Sequence, residues 1–128
     1  MFVILKDTES SSFNILVVDD EPSFRKIMKR LLNVDGHRVT LAEDGVDGLR
    51  ILENKEFDMV MTDINMPNMN GWEFLDKLDA LYPDLPVAII TGYLEISGLT
   101  NSKIDISTRK MLRKPIKLKD IRELIREL

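Results

Sequence analysis

The runs Ile15-Leu16-Val17-Val18, closed by Asp19 and Asp20, and Met59-Val60-Met61-Thr62, closed by Asp63, decide how this chain folds. Each is a short, continuously apolar stretch, the pattern of a parallel strand buried on both faces. Carboxylates that end such strands stand at the carboxyl edge of an open α/β sheet, where ligand crevices form. Three acids crowded there repel one another unless a cation holds them. The economical answer is a hard divalent ion, Mg²⁺, which prefers oxygen ligands and works with one or two carboxylates plus phosphate. Phosphoryl chemistry is therefore the expectation.

Working outward, short β-like runs alternate with helical patterns from Asn14 onward, which predicts a parallel sheet with crossover helices. Phe24, Ile27, Met28, Leu31 and Leu32 recur at helical spacing after Pro22, and Gly36 ends that helix. His37 to Ala42 reads as the second strand. Val46, Leu49 and Leu52 mark a helix running up to Phe57, which opens the third strand. A loop rich in Pro, Asn and Gly follows Asp63, then a helix carrying Phe74, Leu75, Leu78 and Leu81, broken at Pro83 to Pro86. Val87-Ala88-Ile89-Ile90 is a central strand ending at Thr91, and Arg109 to Leu112 a fifth. Between them, Glu95 to Ser107 should hold a crossover helix, short or frayed because Gly98, Thr100, Asn101 and the serines are poor or middling helix formers. Leu118, Ile121, Leu124, Ile125 and Leu128 form the stripe of a terminal helix. His37, the single histidine, is expected at the surface with no role.

A chain of 128 residues fits one domain with a real core. The polar stretch Lys6 to Ser12 makes residues 1–13 a mobile leader and 14–128 the domain. No cysteine is present, so disulfide frameworks and zinc-thiolate sites are excluded. A net charge of -4 gives no case for nucleic-acid contacts. No apolar stretch approaches the roughly 20 residues that span a bilayer, nor the roughly 7 to 15 of a signal-peptide core. The expected setting is the cytoplasm, with no membrane contact.

The segment Asp63-Ile64-Asn65-Met66-Pro67-Asn68-Met69-Asn70-Gly71-Trp72-Glu73 closely resembles the phosphoacceptor loop of response-regulator receiver domains. Asp19-Asp20-Glu21-Pro22 upstream, Thr91 ending the fourth strand and Lys114-Pro115 after the fifth complete five signals in the family's order. Singly each is weak; together, at these spacings, they are highly specific. The resemblance implies a flavodoxin-like, doubly wound, five-stranded parallel sheet in the order 2-1-3-4-5 with five helices. It also implies that Asp63 accepts a phosphoryl group from a partner histidine kinase or phosphotransfer protein, in a switch that catalyses its own phosphorylation and dephosphorylation without being a turnover enzyme. Asp20, Asp63 and the backbone carbonyl of Asn65 would ligate Mg²⁺, with Asp19 holding a metal-bound water. Lys114, aimed by a cis peptide to Pro115, would approach one phosphoryl oxygen. Thr91 would donate to another, and Gly92 would leave room for the group.

Two departures stand out. Met111 lies three residues before Lys114, where receivers usually carry Tyr or Phe as a rotamer switch, so the response is expected to pass through Thr91 and residues 92–107. The other is the weak fourth crossover. An unknown downstream protein is expected on the face formed by residues 92–128, where Arg109, Lys110, Arg113, Lys114, Lys117 and Lys119 make a basic edge suited to an acidic surface. The competing readings are a pseudo-receiver that binds without phosphorylation and a phosphatase of the haloacid dehalogenase type. The latter wants an Asp-x-Asp nucleophile on its first strand, which Asp19-Asp20-Glu21 does not match.

Overall fold

The computed structural model describes residues 12–66, 68–92 and 110–128. Five strands, β1 (Asn14–Val18), β2 (Arg38–Ala42), β3 (Met59–Asp63), β4 (Val87–Thr91) and β5 (Lys110–Arg113), form one parallel sheet in the order β2-β1-β3-β4-β5. The helices are α1 (Pro22–Val34), α2 (Gly45–Leu52), α3 (Gly71–Leu81) and α4 (Leu118–Arg126). The fold and strand order match expectation. Four helices occur among the described residues; the fifth, expected within residues 95–107, lies outside them, as do residues 1–11 of the expected leader.

Alternation along each strand divides the core between two faces. Ile15, Val17, Met59, Met61, Ala88 and Ile90 turn toward α1 and α4, where Phe24, Met28, Leu32, Ile121 and Leu124 cover them. Leu16, Val18 and Val60 turn the other way, onto Leu52 of α2 and onto Phe74 and Leu78 of α3. Both faces are thus covered, which is why the central strands read as unbroken apolar runs. No helix among the described residues is long and apolar enough to cross a membrane.

Local chemistry sets most boundaries. Pro22 starts α1, and Gly36, at φ 83, ends it in a left-handed conformation that costs glycine little. Asp44 and Asn70 cap α2 and α3 by accepting the amides of Asp47 and Glu73. Several boundaries differ from the sequence reading: β3 begins at Met59 and not at Phe57. Helix α2 stops at Leu52 instead of running to Phe57, because Glu53 to Glu56 put no apolar side chain on its buried face. Asn54 caps the end by donating to the Arg50 carbonyl. Strand β5 extends through Arg113, and Arg109 lies outside the described residues.

The expectation for His37 needs correction. It is buried, not at the surface: Phe13 stacks on its ring with centroids 5.7 Å apart, and the Phe13 amide donates to Nδ1 at 3.1 Å. Its own amide donates to Leu32, closing α1, so β2 begins one residue later at Arg38. Ser12 and Phe13, counted in the leader, are therefore joined to the fold, Ser12 by donating to the Gly36 carbonyl.

Candidate active site

Register brings the acids together. Val18 pairs with Thr62, so the next residues along, Asp19 and Asp63, leave the sheet side by side. Thr91 pairs with Arg113, so Lys114 emerges at the same carboxyl edge, its amide donating to the Thr91 carbonyl at 2.9 Å. The Lys114-Pro115 bond is cis, as expected. Lys114 Nζ lies 3.4 Å from Asp19 Oδ2 and 3.4 Å from Asp63 Oδ2, bridging two buried carboxylates. The ammonium also lies over the ring of Phe24, 4.4 Å from the centroid.

Each carboxylate is also held from behind. Asp19 Oδ1 accepts from the Glu21 amide at 2.8 Å, and its backbone carbonyl accepts from Arg25 Nη1 at 2.7 Å. Asp63 Oδ1 accepts from the amides of Ile64 at 2.7 Å and Asn65 at 3.2 Å. Asp20 is exposed, yet one oxygen from each of Asp19, Asp20 and Asp63 falls within 4.8 Å of the others. These are hard oxygen donors close enough to share one ion, since ligands about 2.0–2.1 Å from Mg²⁺ sit about 3 to 4 Å apart. The donor set fits Mg²⁺. Thr91 is buried at the end of β4, its hydroxyl donating to the Gly92 carbonyl at 3.0 Å.

The electrostatics follow from this crowding. Burial raises the Asp63 carboxyl above its ordinary range, and the Asp19 charge adds to the effect; Lys114 and the two amides oppose it. For Lys114, burial disfavours the ammonium, but the Asp63 and Asp19 charges outweigh it and the group rises above the usual lysine range. Lys114 is therefore a fixed positive charge at neutral pH.

The loop after Asp63 is pinned at two points. The Gly71 amide donates to the Ile64 carbonyl at 2.6 Å, and a Cβ on Gly71 would stand 2.2 Å from Ile64 Cα. Farther along, Asn68, at φ 67, donates from Nδ2 to Asp44 Oδ2 at 2.7 Å. The sequence reading missed this clamp, the Arg25 contact and the Phe24 ring. Asp44-Gly45-Val46-Asp47 carries a cap signal that pointed to Asp44 as a helix start. Phe24 gave no signal, since at its helical spacing it reads only as core. The expected basic edge is tempered, because Lys110 pairs with Glu127. Met111 is exposed on β5.

A family model described as the response regulator receiver domain matches residues 15–126. The chain belongs to that family. Receivers are signalling switches of two-component systems and not turnover enzymes, and the match leaves the haloacid dehalogenase reading without support. This receiver is 33% identical over 114 residues to the response regulator MprA of Mycobacterium sp. (strain KMS), covering 89% of this chain and 49% of that protein. It thus spans about half that relative's length. Among solved structures, a response regulator receiver domain protein from Clostridium thermocellum superposes with a TM-score of 0.73 at 33% identity, covering 89% of this chain and 91% of the other. The response regulator TrrA from Thermotoga maritima, solved in complex with Mg²⁺-BeF, gives a TM-score of 0.77 at 25% identity, covering 89% and 96%.

Proposed function

We propose that residues 14–128 form a phosphorylation-dependent switch in the cytoplasm, in which Asp63 takes a phosphoryl group from a phosphohistidine on a histidine kinase or phosphotransfer protein. The observation that carries this reading is the Lys114 ammonium held 3.4 Å from both Asp19 and Asp63 inside a three-carboxylate cluster. In the transfer, an Asp63 oxygen forms the new O–P bond as the P–N bond to the partner's imidazole breaks. The leaving nitrogen keeps the electron pair and takes up a proton. Such transfers gain mainly from positioning and charge neutralisation. The Ile64 and Asn65 amides fix the nucleophile's orientation, and Lys114 meets charge developing on a phosphoryl oxygen. Thr91, at the neighbouring strand end, would turn its hydroxyl from Gly92 toward another.

Asp20, Asp63 and the Asn65 carbonyl would hold Mg²⁺, with Asp19 acting through a water. When bound, the ion supplies positive charge that lets a phosphate approach the acids. The Mg²⁺-BeF complex of the similar receiver TrrA supports this assignment. Output would pass through the 92–128 face to a downstream protein, led by Thr91 because Met111 brings no ring. Intact mass after incubation with a small phosphodonor, with and without Mg²⁺, tests the proposal. The wild type should gain one phosphoryl mass only with Mg²⁺, and Asp63→Asn none; a wild type that gains none under either condition would be a binding-only pseudo-receiver.

A further inference from the structure

We propose that Phe24 is a positioning residue for Lys114, its ring face keeping the ammonium in the pocket when a cation engages the carboxylates; this rests on the phosphoryl-acceptor reading. The ammonium is enclosed by Asp19 Oδ2 and Asp63 Oδ2, each at 3.4 Å, and by the Phe24 ring at 4.4 Å from its centroid. The carboxylates are poor long-term partners for the lysine, because they are also the donors suited to a divalent ion. An ion among them both withdraws those oxygens and repels the ammonium, whose side chain is already 27% exposed and has solvent to escape into. The ring behaves differently. Its negative face attracts the ammonium, yet it offers no oxygen that a hard cation would take. It also leaves the ammonium's donors free for a phosphoryl oxygen.

The surroundings let Phe24 act in this way. It sits in the first turn of α1, 8% exposed and anchored in the same core cluster as Met28 and Leu32, so the ring is a fixed wall. The Arg25 bond to the Asp19 carbonyl ties that turn to the end of β1. A leucine would fill the same helical position as core without presenting an aromatic face.

The test compares Phe24→Leu with Phe24→Tyr, which keeps the face, alone and in a Lys114→Gln background. Binding of fluoroberyllate, a phosphoryl analogue, in saturating Mg²⁺ can be followed through Trp72, the single tryptophan, in the first turn of α3 beside Gly71, which pins the loop after Asp63. Phe24→Leu should weaken binding roughly threefold to tenfold, the range of an aromatic-cation contact. Phe24→Tyr should stay within about twofold of the wild type, and Phe24→Leu should have no added effect once Lys114 is Gln. Equal binding by Leu and wild type, or a Leu effect that persists without the lysine, would overturn the role in favour of simple packing. A thermal-unfolding cycle of the same pair in ligand-free protein reads the contact itself and should show favourable coupling. Zero coupling there removes the Phe24 role alone, whereas a wild type that binds no fluoroberyllate removes the phosphoryl reading on which it rests.

Discussion

The two ends of the sheet treat polar groups in opposite ways. At the carboxyl ends stand Asp19, just after β1, and Asp63 and Thr91, the last residues of β3 and β4, all buried, with two acids sharing one lysine. At the amino ends, Phe13, Met59, Pro86, Val87 and Leu124 line an apolar groove. Lys110 and Glu127 pair at its rim, and two polar side chains nearby serve backbone amides: Asp58 accepts from Asn14, and His37 from Phe13. Buried like charges cost stability and are kept where a cation and a phosphoryl group would use them; at the other end the buried His37 acceptor only completes a hydrogen bond, and Asp58 is exposed. Substitutions at the carboxyl edge should thus change both phosphoryl chemistry and stability, and those at the amino edge stability alone.

The largest effect expected is at the pinned loop. Gly71→Ala would push a methyl against the Ile64 backbone and should cost about 3 kcal/mol, the upper range for overpacking, in urea unfolding. An unchanged urea midpoint would show that the carboxyl edge is less rigid than its geometry. Next is the clamp. Asp44→Ala loses the α2 cap and leaves Asn68 without its acceptor, for about 1–2 kcal/mol. The Asp47 amide, and then the Asn68 amide, hold the Asp44 carboxyl below its ordinary 3.8, against burial. The stability it contributes is complete above that value and lost as pH falls through the depressed one, so the variant's acid limb should be shallower.

A smaller effect has the opposite sign. Because burial and Asp19 raise the Asp63 carboxyl, its charge costs stability at neutral pH, and that cost fades as pH falls through the raised value. Asp63→Asn should therefore abolish phosphorylation yet raise Tm, with the gain shrinking as pH falls through the raised value, as read in thermal unfolding across pH. A lower Tm would mean that Lys114 more than offsets the repulsion.

The smallest effect sits at the amino edge. Burial lowers His37 below its ordinary 6.5, against the pull of Asp35, and its Nδ1 must stay unprotonated to accept from Phe13. Stability is full above about 6.5 and falls as pH drops from there toward the lowered value. The wild type should lose slightly more Tm between pH 7.5 and 5.5 than His37→Gln, with phosphorylation equal in both. Altered phosphorylation in His37→Gln would break the division between the two ends.

Much of this site was legible because its parts are strand-terminal. Asp19, Asp63 and Thr91 each follow an apolar run, and an apolar run covered on both faces is visible in one dimension. His37 was misjudged for the converse reason. Its burial depends on Phe13, which is 24 residues away and touches it only once β1 and β2 pair. The end of α2 was overrun and Phe57 was assigned to β3, because Phe57 is the first apolar residue after Leu52; it packs against the core from outside both elements.

The sequence by itself determined the strand runs, their acidic ends, the start and end of α1 at Pro22 and Gly36, and the order of the motif residues, because these are written in neighbours a few residues apart. Only the tertiary structure decided the contacts that make them a site. Lys114 reaches Asp19 across 95 residues and Asp63 across 51, the Phe24 ring lies against the ammonium, and Asn68 reaches back 24 residues to Asp44. Those pairings depend on sheet order and register, set by burial of the whole core on both faces. No local pattern carries that information.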